Sequence, residues 1–279
     1  MSPADKRQTF RRLHDSGCFV IPNPWNIGSA RYLQALGFKA LATTSSGYAH
    51  SIGYSDGDVT RDMVLEHFRE IATATDVPVN ADFENGFADD PDTVAENVRL
   101  CMEAGVAGLS IEDFTGNESG PLYPFDLAVK RVRAARKAID SAGGGVVFTA
   151  RTEGFIHGRP DIDETIKRLK AFIDEGADCL YPPGIKTREQ IEAVVKAVSP
   201  KPVNLLMSAA TGFTVKDVAA MGVRRISVGG TLARVAMHAF LKSAREIAEH
   251  GTFDSFAGVM PNAELNKFFH DDLSRRPKR

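Results

Sequence analysis

The sequence predicts an α/β fold, a parallel (β/α)8 barrel of the TIM type. Eight short apolar runs rich in Val, Ile, Leu and Ala recur along the 279 residues, and a helix-compatible amphipathic stretch follows each. No G-x-G-x-x-G follows the first run, and the count reaches eight, so the rival doubly wound sheet is disfavoured. No linker or low-complexity stretch interrupts the series. Residues 1–279 are therefore read as one domain, with 251–279 as a helical C-terminal extension.

Each element has its own signal. A polar helix over 4–16 precedes the first strand, 18–22. The corner Asn23-Pro24-Trp25-Asn26 leads into a helix over 27–36, which Gly37 closes as a C-terminal cap. Strand two covers 40–44 and its helix 60–75. Strand three runs over 78–82. Asp90-Pro91 starts the next helix, and Gly105 ends it. Strand four, 107–111, is followed by a loop over 114–123 and a helix over 124–142. Strand five is 146–150 with a helix at 161–175, and strand six is 179–181 with a helix at 187–198. Strand seven, 202–206, precedes a short helix at 214–221. Strand eight, 225–228, precedes a long helix at 231–249.

Bulk properties exclude several functions. A hydrophobic content of 43% and a charged content of 25% are ordinary for a soluble globular protein. A formal charge of −2 provides no basic face for nucleic acid. The basic run Arg275-Arg276-Pro277-Lys278-Arg279 is a tail expected to be disordered. No apolar run approaches the roughly 18 residues of a membrane span. Cys18, Cys101 and Cys179 form neither a metal spacing nor an even disulfide set, and the polar N-terminus is not a signal peptide. A cytoplasmic home is expected.

In such a barrel the chemistry sits at the C-terminal ends of the strands. Strand two runs into Thr43-Thr44-Ser45-Ser46-Gly47-Tyr48 and a loop holding Asp56 and Asp58. Strand three ends in Asp82 and Glu84, which strand alternation places on one side. Strand four ends in Glu112 and Asp113, strand five in Arg151 and Glu153. Strand seven carries Asn204, with Ser208 just beyond. So many acids on one rim repel unless a cation sits among them. A Mg²⁺ ion, with Mn²⁺ as a substitute, explains them: it takes one or two carboxylates directly, and the others hold its waters. The Arg151 fork suits a substrate carboxylate. Metal and arginine together suggest a small 2-oxo or 2-hydroxy acid. The Ser45-Ser46-Gly47 turn offers backbone N–H groups to an oxyanion.

These residues resemble the isocitrate lyase/phosphoenolpyruvate mutase superfamily. The resemblance rests on Ser46-Gly47-Tyr48 with Asp56, the Asp82-x-Glu84-x-Gly86 strand end, Ile111-Glu112-Asp113 and Ala150-Arg151-Thr152-Glu153, over roughly residues 10–240. It implies that Asp82 ligates Mg²⁺ directly while Asp56, Glu84 and Glu112 hold the metal's waters. Arg151 would bind the substrate carboxylate, and the backbone of Ser46, Gly47 and Tyr48 the oxo acid and its enolate. The resemblance also implies bond cleavage beside a pyruvate-like unit, and a homo-oligomer, a dimer of dimers, that exchanges its last helix. On this reading Arg151, Glu112 and Tyr48 form the catalytic set. Ser46, Gly47, Tyr48, Arg151 and Asn204 bind substrate.

The chain departs from the family in the loop after strand four, at Glu84, where many members have Asp, and at the end of strand six. Isocitrate and methylisocitrate lyases carry a Lys-Lys/Arg-Cys-Gly-His loop after strand four. Here 114–123 has no Cys, Lys or His, and the Glu-Asp-Lys start of the phosphonate enzymes is absent because Phe114 follows Asp113. Strand six ends in Tyr181-Pro182 rather than a histidine. His50, His157 and Tyr123 remain as candidate proton donors. Glu153 is a partner for Arg151 or the metal's waters, and Trp25 closes the pocket unless the corner serves only to cap a helix through Asn26. The expected activity is a Mg²⁺-dependent carbon–carbon lyase acting on a small 2-oxo or 2-hydroxy acid through a metal-bound enolate, like oxaloacetate decarboxylase or 2-methylisocitrate lyase. The alternatives are a P–C bond enzyme of the phosphonopyruvate hydrolase or mutase kind, and a non-catalytic barrel that binds an oxo acid.

Overall fold

The computed structural model describes residues 1–276. The chain divides into two compact units, Met1–Leu232 and the remainder from Ala233. The boundary falls at the start of the last long helix.

The first unit is the barrel. Its strands are β1 (Phe19–Ile21), β2 (Leu41–Ala42), β3 (Val79–Asp82), β4 (Gly108–Glu112), β5 (Val147–Arg151), β6 (Cys179–Tyr181), β7 (Asn204–Leu206) and β8 (Arg225–Ser227). Every pairing is parallel, in two arcs: β1-β8-β7 and β2-β3-β4-β5-β6. The arcs meet at two thin seams. A single parallel bridge, Leu180 to Val203, joins β6 to β7, and the Ala42 N–H donates to the Pro22 carbonyl at 3.1 Å beside β1 and β2.

The helices of this unit are α1 (Pro3–Leu13), α2 (Ile27–Ala35), α3 (Ser45–Ser51), α4 (Arg61–Ala74), α5 (Pro91–Glu103), α6 (Phe125–Ser141), α7 (Ile162–Asp174), α8 (Arg188–Val198) and α9 (Val215–Ala220). Their starts are set locally. Asn26, Thr60, Asp90, Asp161, Thr187 and Thr214 each accept an N–H of the first turn, which satisfies donors that no helical carbonyl can reach. Asn26 therefore caps α2, the simpler of its two expected roles. Apolar stripes on α4 to α8 then bury against the outer faces of the strands, where Val98, Leu109, Ile111, Phe148 and Leu169 belong to one core cluster.

The structure differs from expectation at Ser45-Ser46-Gly47, which is the first turn of α3 and not a strand-to-loop turn. Thr44 makes the difference: its Oγ1 accepts the Gly47 N–H at 3.4 Å and starts the helix. Helix α1 closes the N-terminal end of the barrel. Phe10 is fully buried against Gly108, where an added Cβ would lie 2.4 Å from its ring, so only glycine fits there.

The second unit holds most of α10 (Thr231–His250), and α11 (Asn262–Ser274). Helix α10 buries none of its residues and exposes Val235, Met237, Phe240 and Leu241. Of the basic tail, Arg275 caps α11 and Arg276 pairs with Asp272 at 2.8 Å, so the tail's first two residues are ordered. Pro277, Lys278 and Arg279 lie outside the described residues.

Candidate active site

The C-terminal mouth of the barrel opens into a cavity of about 170 Å³, whose lining includes Thr43, Ser45, Ser46, Asp56, Asp82, Arg151, Tyr181 and Asn204. A larger cleft of about 580 Å³ runs beside the loop 114–123 and α7, but it lacks the rim acids. The chemistry therefore belongs to the smaller cavity.

Arg151 is the hub. Its Nη1 contacts Asp82 Oδ1 at 2.5 Å, its Nη2 contacts Glu112 Oε2 at 3.0 Å, and its Nε donates to Glu153 Oε1 at 2.9 Å. The guanidinium also lies over the Tyr181 ring, 4.8 Å from its centroid. Burial works against the Arg151 charge, but Glu112, Glu153 and Asp82 outweigh it and hold its pKa well above the usual value. Three carboxylates thus share one cation. Asp82 is pinned on its other side too, because the Ser45 N–H donates to Oδ2 at 3.2 Å.

The acids press on one another. Burial pushes the Glu84 carboxyl up to about 8, helped by Asp82 and Asp56 and opposed by Arg151. Burial also holds Glu112 well above its usual value, with Arg151 pulling back and Glu153, Asp82 and Glu84 adding to the rise. Asp56 is raised by burial, with Ser45 opposing and Asp82 reinforcing. Asp82 raises the Glu84 pKa, but strand alternation does not relate the two. β3 ends at Asp82, and Glu84 takes a left-handed backbone, φ 46°, which is costly for a residue other than glycine. Glu84 opens a turn over residues 84–87 and is not among the residues that line the cavity.

Among the described residues, no group of three or more His, Cys, Asp or Glu side chains is arranged to hold a metal ion by itself. Mg²⁺ does not need one, because it keeps several waters and takes one or two carboxylates directly. The donors here are hard oxygens, and their mutual repulsion is what a divalent cation relieves. Asp82 with the waters held by Asp56, Glu84 and Glu112 fits such an ion.

Other expected residues fall elsewhere. Tyr48 turns away from the mouth: its ring stacks on His67 with centroids 3.9 Å apart, and its hydroxyl donates to the Met63 carbonyl at 3.4 Å. The Gly47 and Tyr48 N–H groups are spent on Thr44 and that of Ser45 on Asp82, so of the expected backbone donors only that of Ser46 is uncommitted by these bonds. His157 stacks on Phe114 and contacts Glu118 at 3.0 Å. The Tyr123 hydroxyl donates to Asp89 at 2.5 Å. Neither they nor His50, Trp25 and Ser208 line the cavity. Asp113 faces outward and binds Arg168 at 3.0 Å, Thr152 and the Glu153 N–H, bracing the rim from behind.

Sequence reasoning missed the lower half of the cavity. Asn80, Ser110, Arg225 and Ser227 line it, all buried. Asn204 lies between them, donating to Ser227 Oγ at 2.9 Å and accepting from Arg225 Nε at 2.8 Å. The signal was present: strand alternation puts Arg225 and Ser227 on one face, in register with Asn204 and Leu206.

Comparisons with known proteins give the family. A family model described as phosphoenolpyruvate phosphomutase matches residues 10–248. A Burkholderia cenocepacia J2315 protein, named for a presumed lyase or mutase activity, has a crystal structure that superposes with a TM-score of 0.93. It is 47% identical, over 96% of this chain and 97% of that one. An oxaloacetate decarboxylase from Paraburkholderia xenovorans is 30% identical over 90% of this chain and 85% of its own length. A phosphonopyruvate hydrolase crystallised with oxalate and Mg²⁺ is 26% identical, with a TM-score of 0.85, over 99% of this chain and 97% of that one. With barrel, rim and matched span in accord, the chain belongs to the isocitrate lyase/phosphoenolpyruvate mutase superfamily.

Proposed function

We propose that this protein is a Mg²⁺-dependent lyase that breaks a carbon–carbon bond beside the oxo or hydroxyl carbon of a small carboxylic acid. The observation that carries the reading is the sharing of Arg151 by Asp82, Glu112 and Glu153 at the mouth of a small polar cavity. When bound, Mg²⁺ would supply Lewis acidity beside the breaking bond. Asp82 would hold it, with Asp56, Glu84 and Glu112 on its waters. Arg151 would then turn part of its fork from Asp82 to the substrate carboxylate. Ser46 lines the same cavity, and its N–H would support charge on the enolate oxygen. Decarboxylation of an oxaloacetate-like acid suits a loop without Cys, Lys or His, since it needs no side-chain nucleophile.

The test is pyruvate release from a panel of 2-oxo and 2-hydroxy acids, with and without Mg²⁺. Asp82→Ala should lower turnover by about 10²-fold or more and abolish the heat of Mg²⁺ binding while the protein stays folded. Full activity in excess chelator would sink the reading.

A second reading rests on two names: the matched family is described as a phosphoenolpyruvate phosphomutase, and the hydrolase above is named for phosphonopyruvate. Phosphate release from phosphonopyruvate would favour it. Mg²⁺-dependent oxo-acid binding without turnover would favour a barrel that only binds. The unpaired cysteines suit a reducing cytoplasm. The exposed apolar residues of α10 suit a homo-oligomer, and light scattering would give its size.

A further inference from the structure

The floor of the cavity carries a charge with no counterion. Arg225 is 3% exposed and reaches across the barrel from β8 to β5. Its Nε donates to Asn204 Oδ1 at 2.8 Å, its Nη2 to Thr149 Oγ1 at 3.0 Å, and its Nη1 lies 3.3 Å from His14 Nε2. The histidine must be neutral for this. Its Nδ1 lies 2.8 Å from the Phe10 carbonyl, which only accepts, so Nδ1 carries the proton and Nε2 is left to accept from Arg225. Burial and Arg225 together push the His14 pKa down to about 3, consistent with that tautomer. All three partners are uncharged, and no carboxylate pairs with Arg225 among the described residues.

A buried cation without an anion is expensive, and a guanidinium has five N–H donors, of which three are engaged here. The floor thus holds spare donors, in contrast to a rim crowded with acids around Arg151. Thr149, which anchors Arg225, lies two residues below Arg151 on β5. At about 3.3 Å per residue and a tilt of about 36°, the two levels are about 5 Å apart along the barrel axis. That is close to the span of a four-carbon diacid.

We propose that Arg225 forms an anion-binding floor that receives a second carboxylate of the substrate, selecting short dicarboxylic acids over monocarboxylic acids. This rests on the oxo-acid reading above, with Arg151 and the metal taking the first carboxylate at the rim and Arg225 the second beneath it. Arg225 touches substrate but takes no part in bond breaking.

The test is calorimetric binding of two unreactive acids of equal chain length, succinate and butyrate, with and without Mg²⁺. The wild-type protein should bind succinate at least about tenfold more tightly. In Arg225→Met the ratio should fall to about one, whereas Arg225→Lys should keep it within about threefold of wild type. Equal binding of the two acids by the wild-type protein overturns the floor site and leaves the oxo-acid reading standing, whether or not Arg225→Met folds. An unchanged ratio in folded Arg225→Met also overturns it. A succinate preference that survives without Mg²⁺ and vanishes in Arg225→Met supports the floor while counting against the metal.

Discussion

The two ends of the barrel use charge in opposite ways. At the N-terminal end, three of the cations on α1 reach backbone carbonyls, and Arg11 also pairs with Asp178 at 3.1 Å. Lys6 Nζ donates to Ala72 at 2.7 Å and Thr75 at 2.5 Å. Arg7 donates to Met102 at 2.9 Å and Val106 at 3.2 Å, and Arg11 to Val146 at 3.2 Å. These carbonyls lie at helix C-terminal ends and strand starts, where helix dipoles favour positive charge. At the C-terminal end, acids converge on a single guanidinium, two are pushed well above their usual pKa, and Glu84 holds a backbone conformation that costs energy. One end is satisfied and the other is not. The lesson is that charge at the first end serves stability, while charge at the second waits for something the chain does not itself supply.

Removing the hub should break this contrast most severely. Arg151→Met leaves Glu112 and Glu153 buried without a cation and should cost about 3–5 kcal/mol in denaturant unfolding, together with loss of activity. A variant as stable as wild type would mean that the acids do not depend on Arg151. Lys6→Met is the matching change at the other end. It leaves two carbonyls short of a donor and should cost about 1–3 kcal/mol, with turnover per folded molecule unchanged. A fall in turnover would show that the two ends are coupled.

The smallest effect sharpens the comparison through pH. Glu84 has a folded pKa raised to about 8, so the folded state holds its proton longer than the unfolded state does. Its contribution to stability is therefore complete below the usual glutamate value and is lost as pH rises to about 8. His14 at the other end has a folded pKa lowered to about 3, so its contribution is lost as pH falls from the usual histidine value toward 3. The melting temperature without metal should thus decline on both sides of a maximum. Glu84→Gln should flatten the alkaline limb alone, and Mg²⁺ should flatten it in the wild-type protein. An alkaline limb that neither change touches would remove Glu84 from the account.

Most of the barrel was legible because each strand is a short apolar run and most following helices carry their own caps. What stayed hidden depended on geometry that patterns do not carry. Thr44-Ser45-Ser46-Gly47 reads as a turn because Ser and Gly are weak helix formers, yet one threonine hydroxyl starts a helix there. That helix spends the Gly47 and Tyr48 N–H groups and turns the Tyr48 ring outward. The rim acids were found by their types and positions, but the reason given for pairing Asp82 with Glu84 was strand alternation, and the chain uses a left-handed turn instead. Arg225 was not singled out, because strand eight was read only as an apolar run. Alternation sends it and its neighbour in opposite directions, Arg224 toward the Gly17 carbonyl and Arg225 into the barrel.

The two thin seams have a consequence for the cavity they flank. The rim acids and Arg151 stand on the five-strand arc, whereas Asn204, Arg225 and Ser227 stand on the three-strand arc. A molecule gripped by both would act as a staple between half-shells that the backbone joins only sparingly. Amide exchange at Ala42 and Leu180, whose N–H groups donate across the two seams, should then slow when such a molecule binds, making the stitching of the ring a gauge of how fully the site is filled.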